Sequence, residues 1–229
     1  MLSYTNKKVR KGKCLRSGIT FFVLAITSFA GLVVSPPVAL SDKASALETL
    51  KETIVHFDEA SPGVYRGGRV PEAAAPLLKE LGVKTVINFD NKNAYARKEE
   101  EHLKLFGIYT VRMPWSGFDY PKDEDIEKFL TLMATPDLKP IMVHCKRGSE
   151  RTGTTMAIWR MKEFGWPVEK AYEEMLKFDY RRFRQGHLKE YVFEYAREHG
   201  DETAKIGMLE RMKTKVLYVI GKLGKLNPS

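Results

Sequence analysis

Residues 143–153 read VHCKRGSERTG, and this stretch decides the fold that the sequence predicts. The apolar run Pro140–Val143 is typical of a buried strand, which ends at His144, and a helix is predicted to begin near Arg151. A loop that leads from a strand into a helix N-terminus directs backbone N–H groups and the positive end of the helix dipole at one point, where they bind a tetrahedral anion. Gly148 permits the backbone geometry of such a loop, and Arg151 can hold two phosphate oxygens in a planar fork.

Cys145 lies at the start of this loop, and its neighbours decide what the thiol does. The positive field of the loop and of Arg151 is expected to lower the pKa of the Cys145 thiol, which makes the sulfur a thiolate nucleophile. The other of the two cysteines, Cys14, belongs to a predicted leader, so no intramolecular disulfide is expected once the leader is removed. The alternative is an inert residue at a strand end, but five charged or polar residues follow Cys145 almost without interruption and favour the reactive interpretation.

The segments on either side of this loop alternate between strands and helices. Their apolar periodicity and their Gly and Pro positions predict strands at 64–66, 84–89, 108–113 and 140–143, and helices at 71–81, 94–106 and 123–134. Such alternation with short connections predicts an α/β fold in which helices flank a central, mostly parallel sheet. From Thr152 onward the chain is predicted to be mainly helical, and its last helix runs from Ala204 to Lys222.

Residues 1–46 have the composition of a secretory signal peptide. The first 18 residues include six basic residues and no acid, an apolar run follows from Ile19 to Val34, and Ala44-Ser45-Ala46 is the best cleavage site. Residues 47–229 then form one domain, including C-terminal helices at about 202–225. We therefore expect an exported bacterial protein, periplasmic or secreted. Val38-Ala39-Leu40 is a second, poorer cleavage site, and an uncleaved leader would serve as a membrane anchor.

The charge of the chain is concentrated in this leader. The 229 residues include 38 Lys+Arg and 29 Asp+Glu, a formal charge of +9, which first suggests a polyanionic partner. Segment 1–46 holds seven basic residues and one acid, so residues 47–229 keep 31 basic and 28 acidic residues, a charge of +3. Since no zinc-finger or RNA-binding motif accompanies this small excess, nucleic acid is not expected as a partner.

The segment HCKRGSERTG resembles the H-C-x5-R-[ST] signature of the cysteine-based protein tyrosine phosphatase superfamily. VYRGGRV and KTVINF are similar to the entry strands of its bacterial and atypical dual-specificity members, and WPVEKAYEEM is similar to the helix after their phosphate-loop helix. The resemblance implies a tyrosine-phosphatase-like fold and hydrolysis of phosphate monoesters. It also implies that Cys145 is the nucleophile, that Arg151 binds the phosphate and that Thr152 assists hydrolysis of the phosphocysteine. His144 is expected to order the loop.

The superfamily places its general acid on a loop before the helix that precedes the cysteine strand. In this sequence that loop is residues 114–121, PWSGFDYP, and Asp119 is the expected acid. The aromatic residues of the loop could desolvate its carboxyl group and raise its pKa; they are Trp115, Phe118 and Tyr120. Asp123 is a rival, although its position favours a helix N-cap. Glu150, inside the phosphate loop, is a third candidate.

The substrate is the least constrained expectation. Two extra cations, Lys146 and Arg147, make the loop similar to the basic loops of inositol pyrophosphate phosphatases and favour inositol polyphosphates as substrates. The alternative is a phosphotyrosine or dual-specificity protein phosphatase, in which residues 115, 118 and 120 would form an aromatic slot for the substrate. A third possibility is a module that binds phosphorylated ligands without catalysis. A second basic cluster at 177–189 could extend the positive rim. No cofactor is implied, and the remaining histidines lack metal-ligand spacing. The expected substrate-binding residues are Lys146, Arg147, Gly148, Ser149, Glu150 and Gly153.

The last predicted helix is amphipathic. Its apolar stripe includes Ile206, Leu209, Met212, Val216 and Val219, with basic residues on the opposite side. We expect this helix to dock on the catalytic domain or on a partner protein, with an anionic membrane surface as the alternative.

Overall fold

The computed structural model describes residues 38–202 and 204–226. A five-stranded sheet lies at its centre; its strands are β1 (Asp58–Ser61), β2 (Val64–Gly67), β3 (Thr85–Asn88), β4 (Tyr109–Arg112) and β5 (Ile141–His144). Their order is β1-β2-β5-β3-β4. Only β1 is antiparallel to its neighbour in this sheet, so the predicted α/β fold with a mostly parallel sheet is confirmed.

Helices flank this sheet on both faces and form the C-terminal part. They are α1 (Val38–Thr53), α2 (Ala75–Glu80), α3 (Asn93–Leu105), α4 (Asp123–Ala134), α5 (Glu150–Phe164), α6 (Val168–Lys177), α7 (Gly186–Glu198) and α8 (Met208–Leu226). Short 3-10 turns at Glu72–Ala74 and Pro136–Leu138 precede α2 and β5. The predicted strands and helices around the phosphate loop are confirmed to within a few residues.

The central strands are covered from both sides, which explains their continuous apolar runs. All four residues of β3 and of β5 are buried. Because side chains alternate along a strand, Val86 and Met142 enter the core on one face, whereas Ile87 and Val143 enter the core on the other.

Three strands end at the same edge of the sheet, and this edge carries the predicted site. Gly67 of β2 and Asn88 of β3 both lie in register with His144 of β5. The loops that follow these strands therefore meet beside Cys145. Clefts outside the carboxyl ends of parallel strands are the usual ligand sites of open α/β sheets.

Helix α1 belongs to the core, since Ala46 and Leu50, together with Ile54 just after the helix, are buried with residues of α2 and β3. The predicted boundary after Ala46 falls inside this helix, so the folded part of the chain extends N-terminally of residue 47. Cleavage at the second site, after Leu40, would leave most of α1 in place. The remainder of the predicted leader, residues 1–37, lies outside the described residues, and its removal stays a prediction.

Helix α8 docks on the domain, but its apolar stripe does not form the contact. The helix contacts α7, but Leu209, Met212, Val216 and Val219 are all more than half exposed. The expected docking of this helix on the domain is confirmed, but the side chains that touch the domain are polar and aromatic, namely Thr214, Tyr218 and Lys222. Within residues 38–202 and 204–226 there is no helix whose length and hydropathy would suffice to span a bilayer.

Candidate active site

The phosphate loop (residues 145–151) wraps around the sulfur of Cys145. The thiol is a free cysteine and is 1% exposed, and the backbone N–H of Gly148 donates a hydrogen bond to Sγ over 3.3 Å. Gly148 has φ +76°, and a Cβ atom there would lie 2.6 Å from the carbonyl carbon of Gly67 and 2.8 Å from the nitrogen of Gly68. Glycine is therefore required at this position both by its dihedral angle and by the space available.

The surroundings of Cys145 favour the thiolate. Burial opposes ionisation, but the guanidinium of Arg151, the hydroxyl and N–H of Thr152 and the N–H of Arg147 together lower the pKa of the Cys145 thiol below its ordinary value. The predicted effect of the loop on the sulfur thus follows from named donors rather than from the helix dipole alone.

Arg151 is 8% exposed and is held by backbone oxygens from two other loops. Its Nη1 atom donates to the carbonyl of Phe89 over 2.6 Å, to the carbonyl of Trp115 over 3.0 Å and to Oδ1 of Asn91 over 3.5 Å. These contacts position the guanidinium at the side of the phosphate loop and connect it to the loop at 114–121 that carries Asp119.

Thr152 lies next to the sulfur as expected. Its Oγ1 atom is buried and has no hydrogen bond to a nitrogen or oxygen atom within the described part of the chain, so the hydroxyl is available to the Cys145 sulfur. Cys145, Arg151 and Thr152 are therefore brought together by the structure.

Two expected substrate-binding residues are corrected. Gly153 lies in the first turns of α5 with its N–H bonded to the carbonyl of Ser149, and its α-carbon faces the Met175 side chain; this glycine permits close helix packing and does not line the cleft. The Ser149 side chain is fully buried, and its Oγ lies 3.2 Å from Nδ1 of His56, behind the loop.

His56 supports the phosphate loop from behind, which the sequence did not indicate. Its Nδ1 atom is 2.8 Å from the carbonyl oxygen of Arg147, and its Nε2 atom is 3.0 Å from Oδ2 of Asp179. Both His56 and Asp179 have positive φ angles. Neither residue belongs to a motif, so no local pattern could have identified this contact.

A buried arginine supports the loop from below. Arg66 donates to the carbonyl oxygen of Gly148 over 3.1 Å and to Glu174 over 3.0 Å, and its guanidinium stacks on the Phe178 ring at 3.5 Å. Burial lowers the pKa of Arg66 to about 10, although Glu174 favours the charged form. Glu174 also accepts from Arg160, so one carboxylate holds β2, α5 and α6 together beneath the site.

A cleft of about 470 Å³ opens over the loop and is strongly basic. The predicted substrate-binding residues Lys146, Arg147 and Glu150 all line it, and the carboxylate of Glu150 pairs with Arg181. Five cations thus face one acid; the cations are Lys92, Lys146, Arg147, Arg151 and Arg181. Of the second basic cluster only Arg181 reaches this cleft, whereas His187 is buried and Lys189 pairs with Glu210.

Asp119 follows three residues that line this cleft, but it does not line the cleft itself. Ser116, Gly117 and Phe118 line it directly, and the carboxylate of Asp119 forms an ion pair with Lys222 of α8. The predicted N-cap role of Asp123 is wrong, since it is the first residue of α4 and its carboxylate accepts from the Tyr191 hydroxyl over 2.7 Å.

The aromatic residues of this loop do not form the expected slot. Phe118 lines the cleft, but Tyr120 contacts His187 and Tyr218, and Trp115 packs among core residues. No group of three or more His, Cys, Asp or Glu side chains that could hold a metal ion occurs among the residues that the structure describes.

Comparison with known protein families identifies the family to which this sequence belongs. Residues 42–190 match the family described as PTP-NADK, a DSP-PTPase phosphatase fused to NAD+ kinase. The chain belongs to the DSP-PTPase family. The match contains the phosphate loop, its supporting residues and the Asp119 loop, and it begins within α1.

Individual relatives of this DSP-PTPase are distant. The dual specificity protein phosphatase TpbA of Pseudomonas aeruginosa is 30% identical over 123 residues, 53% of each chain. The inositol diphosphatase DSP1 of rice, Oryza sativa, is 25% identical over 139 residues, 59% of this chain and 62% of its own. The chain thus spans little more than half the length of the curated relatives it matches. The crystal structure of the core catalytic domain of the PP-IP phosphatase SIW14 from S. cerevisiae superimposes with a TM-score of 0.56 at 22% identity, over 72% of this chain and 94% of that one, which shows the shared fold.

Proposed function

We propose that the protein hydrolyses phosphate monoesters through a phosphocysteine intermediate on Cys145. The observation that carries this proposal is the buried thiol with a lowered pKa, which accepts the Gly148 N–H at 3.3 Å and lies in the field of Arg151. Thiolate formation in a nest of N–H donors is what nucleophilic attack on a phosphate ester requires.

The reaction proceeds in two displacements at phosphorus. In the first, the thiolate of Cys145 forms the S–P bond while the ester P–O bond breaks; Arg151 and the loop N–H groups hold the non-bridging oxygens, and a carboxylic acid protonates the leaving oxygen. In the second, water attacks phosphorus and gives its proton to the same carboxylate, and the sulfur leaves as a thiolate. The Thr152 hydroxyl can donate a hydrogen bond to that sulfur, and Asp119 is the proposed acid.

The basic cleft favours inositol polyphosphates as substrates. Lys146, Arg147 and Arg181 can pair with phosphates other than the one that reacts, and a single carboxylate, already paired, competes with them. The relatives named for inositol diphosphates and inositol pyrophosphates support the same preference. Phosphotyrosine is the alternative, favoured by the TpbA relative and by Phe118 at the cleft.

A substrate panel tests both levels of this proposal. Purified protein is offered p-nitrophenyl phosphate, inositol hexakisphosphate and a phosphotyrosine peptide, and we expect turnover of the first two. Turnover of the peptide with none of inositol hexakisphosphate would overturn the substrate preference but leave the mechanism intact. Hydrolysis that survives in Cys145→Ser would overturn the mechanism, and binding of these ligands without turnover would indicate a binding module.

Matched lysine variants test the role of the basic rim. Lys146→Gln should raise KM for inositol hexakisphosphate more than for p-nitrophenyl phosphate, because only the larger substrate has further phosphates to bind. Lys162→Gln, a change at an exposed residue of α5 outside the cleft, is the control and should alter neither value.

The expected export also belongs to this proposal. It is supported by the basic segment before residue 18 and the apolar run Ile19–Val34. An exported phosphatase would meet soluble phosphate esters from the surroundings. Fractionation of the producing bacterium checks it, and phosphatase confined to the cytoplasm would contradict it.

A further inference from the structure

Helix α8 presents its apolar side chains to solvent. Val216 is 57% exposed and Leu223 is 59% exposed, although both belong to the stripe that amphipathic helices usually bury. Between residues 208 and 223, the exposed apolar residues of this helix are Met208, Leu209, Met212, Val216, Leu217, Val219, Ile220 and Leu223.

The opposite side of α8 holds the helix on the domain. Thr214 is buried against Gly186, Tyr218 stacks near Tyr120 and His187, and Lys222 pairs with Asp119. At about 100° per residue, positions 209, 216 and 223 lie roughly opposite Thr214. The apolar stripe therefore points away from the domain, and it cannot pack against the domain unless these contacts are released.

The charges of α8 complement an anionic surface. Its one acid, Glu210, pairs with Lys189, while exposed Lys213 and Lys215 flank the two sides of the stripe. Its sequence carries five basic residues in all, namely Arg211, Lys213, Lys215, Lys222 and Lys225. Basic residues beside an outward apolar stripe are typical of helices that lie in the interface of a membrane.

An exposed aromatic residue continues this surface. Phe183, 74% exposed, lines a shallow groove together with Leu217 and Ile220, and the guanidinium of Arg182 lies 4.9 Å from its ring centre. Phe118 lines both this groove and the active-site cleft. The apolar and basic surface thus extends from α8 to the rim of the cleft.

We propose that the outer face of α8, together with Phe183, binds the surface of an anionic lipid bilayer. The helix would lie parallel to the membrane with its apolar side chains among the acyl chains near the headgroups, and Lys213 and Lys215 would contact lipid phosphates. The bound protein would carry its catalytic cleft close to the lipid surface, because Phe118 borders both surfaces.

Two properties of the stripe argue against a second copy as its occupant. Cations lie towards both ends of α8, so parallel and antiparallel pairing would each place like charges together. The exposed apolar residues also spread over about half of the helix circumference, which is wider than the seam of a two-stranded coiled coil. A flat anionic surface would attract the cations of α8 and could cover the full width of its apolar stripe.

A local fluorescent probe tests this proposal in the full chain and separates α8 from any effect of residues 1–46. In a background with both native cysteines replaced by serine, Val216→Cys or Leu105→Cys is labelled with an environment-sensitive dye; Leu105, on α3, is 78% exposed. Vesicles that contain phosphatidylglycerol should shift the dye emission to the blue at position 216 and not at 105. Neutral phosphatidylcholine vesicles should produce a much smaller shift.

Other outcomes would overturn the proposal. These are an unchanged spectrum at 216 with anionic vesicles, an equal shift at 105, or a shift at 216 that follows protein concentration without lipid, which would indicate self-association. As a second measurement, Leu209→Asp with Leu223→Asp in the probe background should weaken the lipid-dependent shift by roughly tenfold or more. The charge-matched control is the pair Leu105→Asp with Tyr109→Asp, at exposed positions away from α8, tested with the dye at position 216. This pair should leave the lipid-dependent shift unchanged.

Discussion

The Nε2 atom of His144 lies 2.8 Å from a carboxylate oxygen of Glu99, and the two side chains are 0% and 7% exposed. Glu99 also accepts from Asn88 over 2.7 Å and from the N–H of Val70 over 3.0 Å, so the carboxylate is fixed by three segments. Burial opposes a charge on the imidazole, but Glu99 raises the pKa of His144 above its ordinary value. A cationic ring next to Cys145 favours the thiolate.

Replacing this carboxylate should therefore change the reactivity of the sulfur. In Glu99→Gln, we expect the pKa of the Cys145 thiol to rise, because His144 loses the partner that keeps it protonated. The acid limb of kcat/KM and the midpoint of iodoacetamide alkylation should both move to higher pH. Exposed Glu101→Gln on the same helix is the control. A loss of stability with an unchanged alkylation profile would show that Glu99 is only structural.

The general acid can be identified by the dependence of the rate on the leaving group. Asp119→Asn should lower kcat by about 10²–10⁴-fold for inositol phosphates, whose alcohol must be protonated, and by much less for p-nitrophenyl phosphate. Asp123→Asn and Glu150→Gln are matched tests of the two rivals. If either produces the leaving-group dependence instead, the acid is that residue.

Alanine variants of two glycines with similar φ angles can distinguish the effect of backbone strain from the effect of steric overlap. Gly148 has φ +76° and Gly165 has φ +61°, but a Cβ at Gly165 meets no atom within 4 Å. Gly165→Ala should cost about 1 kcal/mol of stability and leave activity intact. Gly148→Ala should displace the phosphate loop and abolish turnover and rapid alkylation of Cys145. Normal turnover in Gly148→Ala would show that the loop does not depend on its approach to Gly67.

The carboxylate beneath the loop should be a major source of stability. Glu174→Gln leaves Arg66 and Arg160 without their anionic partner, and breaking such a buried pair costs about 3–5 kcal/mol. Urea denaturation measures this loss, with exposed Glu173→Gln as the neighbouring control. A midpoint equal to that of Glu173→Gln would mean that water replaces the lost contacts.

Acid should loosen the contact between α8 and the Asp119 loop. Burial lowers the pKa of His187 to about 4, although Asp119 and its backbone favour the charged ring and Lys222 opposes it. The unfolded chain, with a pKa of ~6.5, binds more protons between these values, so stability is lost as pH falls from ~6.5 towards 4, by up to ~3 kcal/mol. His187→Gln should flatten this slope. Tyr218 and Tyr120 pack on the ring and should report the change by fluorescence.

The sequence was informative where chemistry and local geometry coincide. Cys145 and Arg151 were identified because a strand, a glycine-containing loop and a helix occupy consecutive residues, and the buried strands β3 and β5 because their apolar runs are continuous. β1 was missed, since DEAS carries no apolar alternation and forms a strand only by pairing with β2.

The support of the site was not predictable, because it comes from residues distant in the chain. Glu99 is one of three consecutive glutamates, and only the packing of α3 selects it as the partner of His144. Gly153 was placed in the cleft because it follows the motif, whereas helix geometry turns it towards α6. The stripe of α8 was read correctly as apolar, but the face that docks depends on Thr214 and Tyr218, whose partners lie on other elements.

The close approach of Gly148 to Gly67 and Gly68 places one steric constraint on two segments that are remote in the sequence. A side chain on the phosphate loop at Gly148 would collide with the backbone of Gly67 and Gly68, where β2 ends, so a variant that loses this glycine must also move that backbone. Arg66 reinforces the link, since its guanidinium binds the Gly148 carbonyl. A sequence search for this architecture can therefore require two segments together, R-G-G at the end of the second strand and H-C-x2-G-x2-R from the end of the fifth.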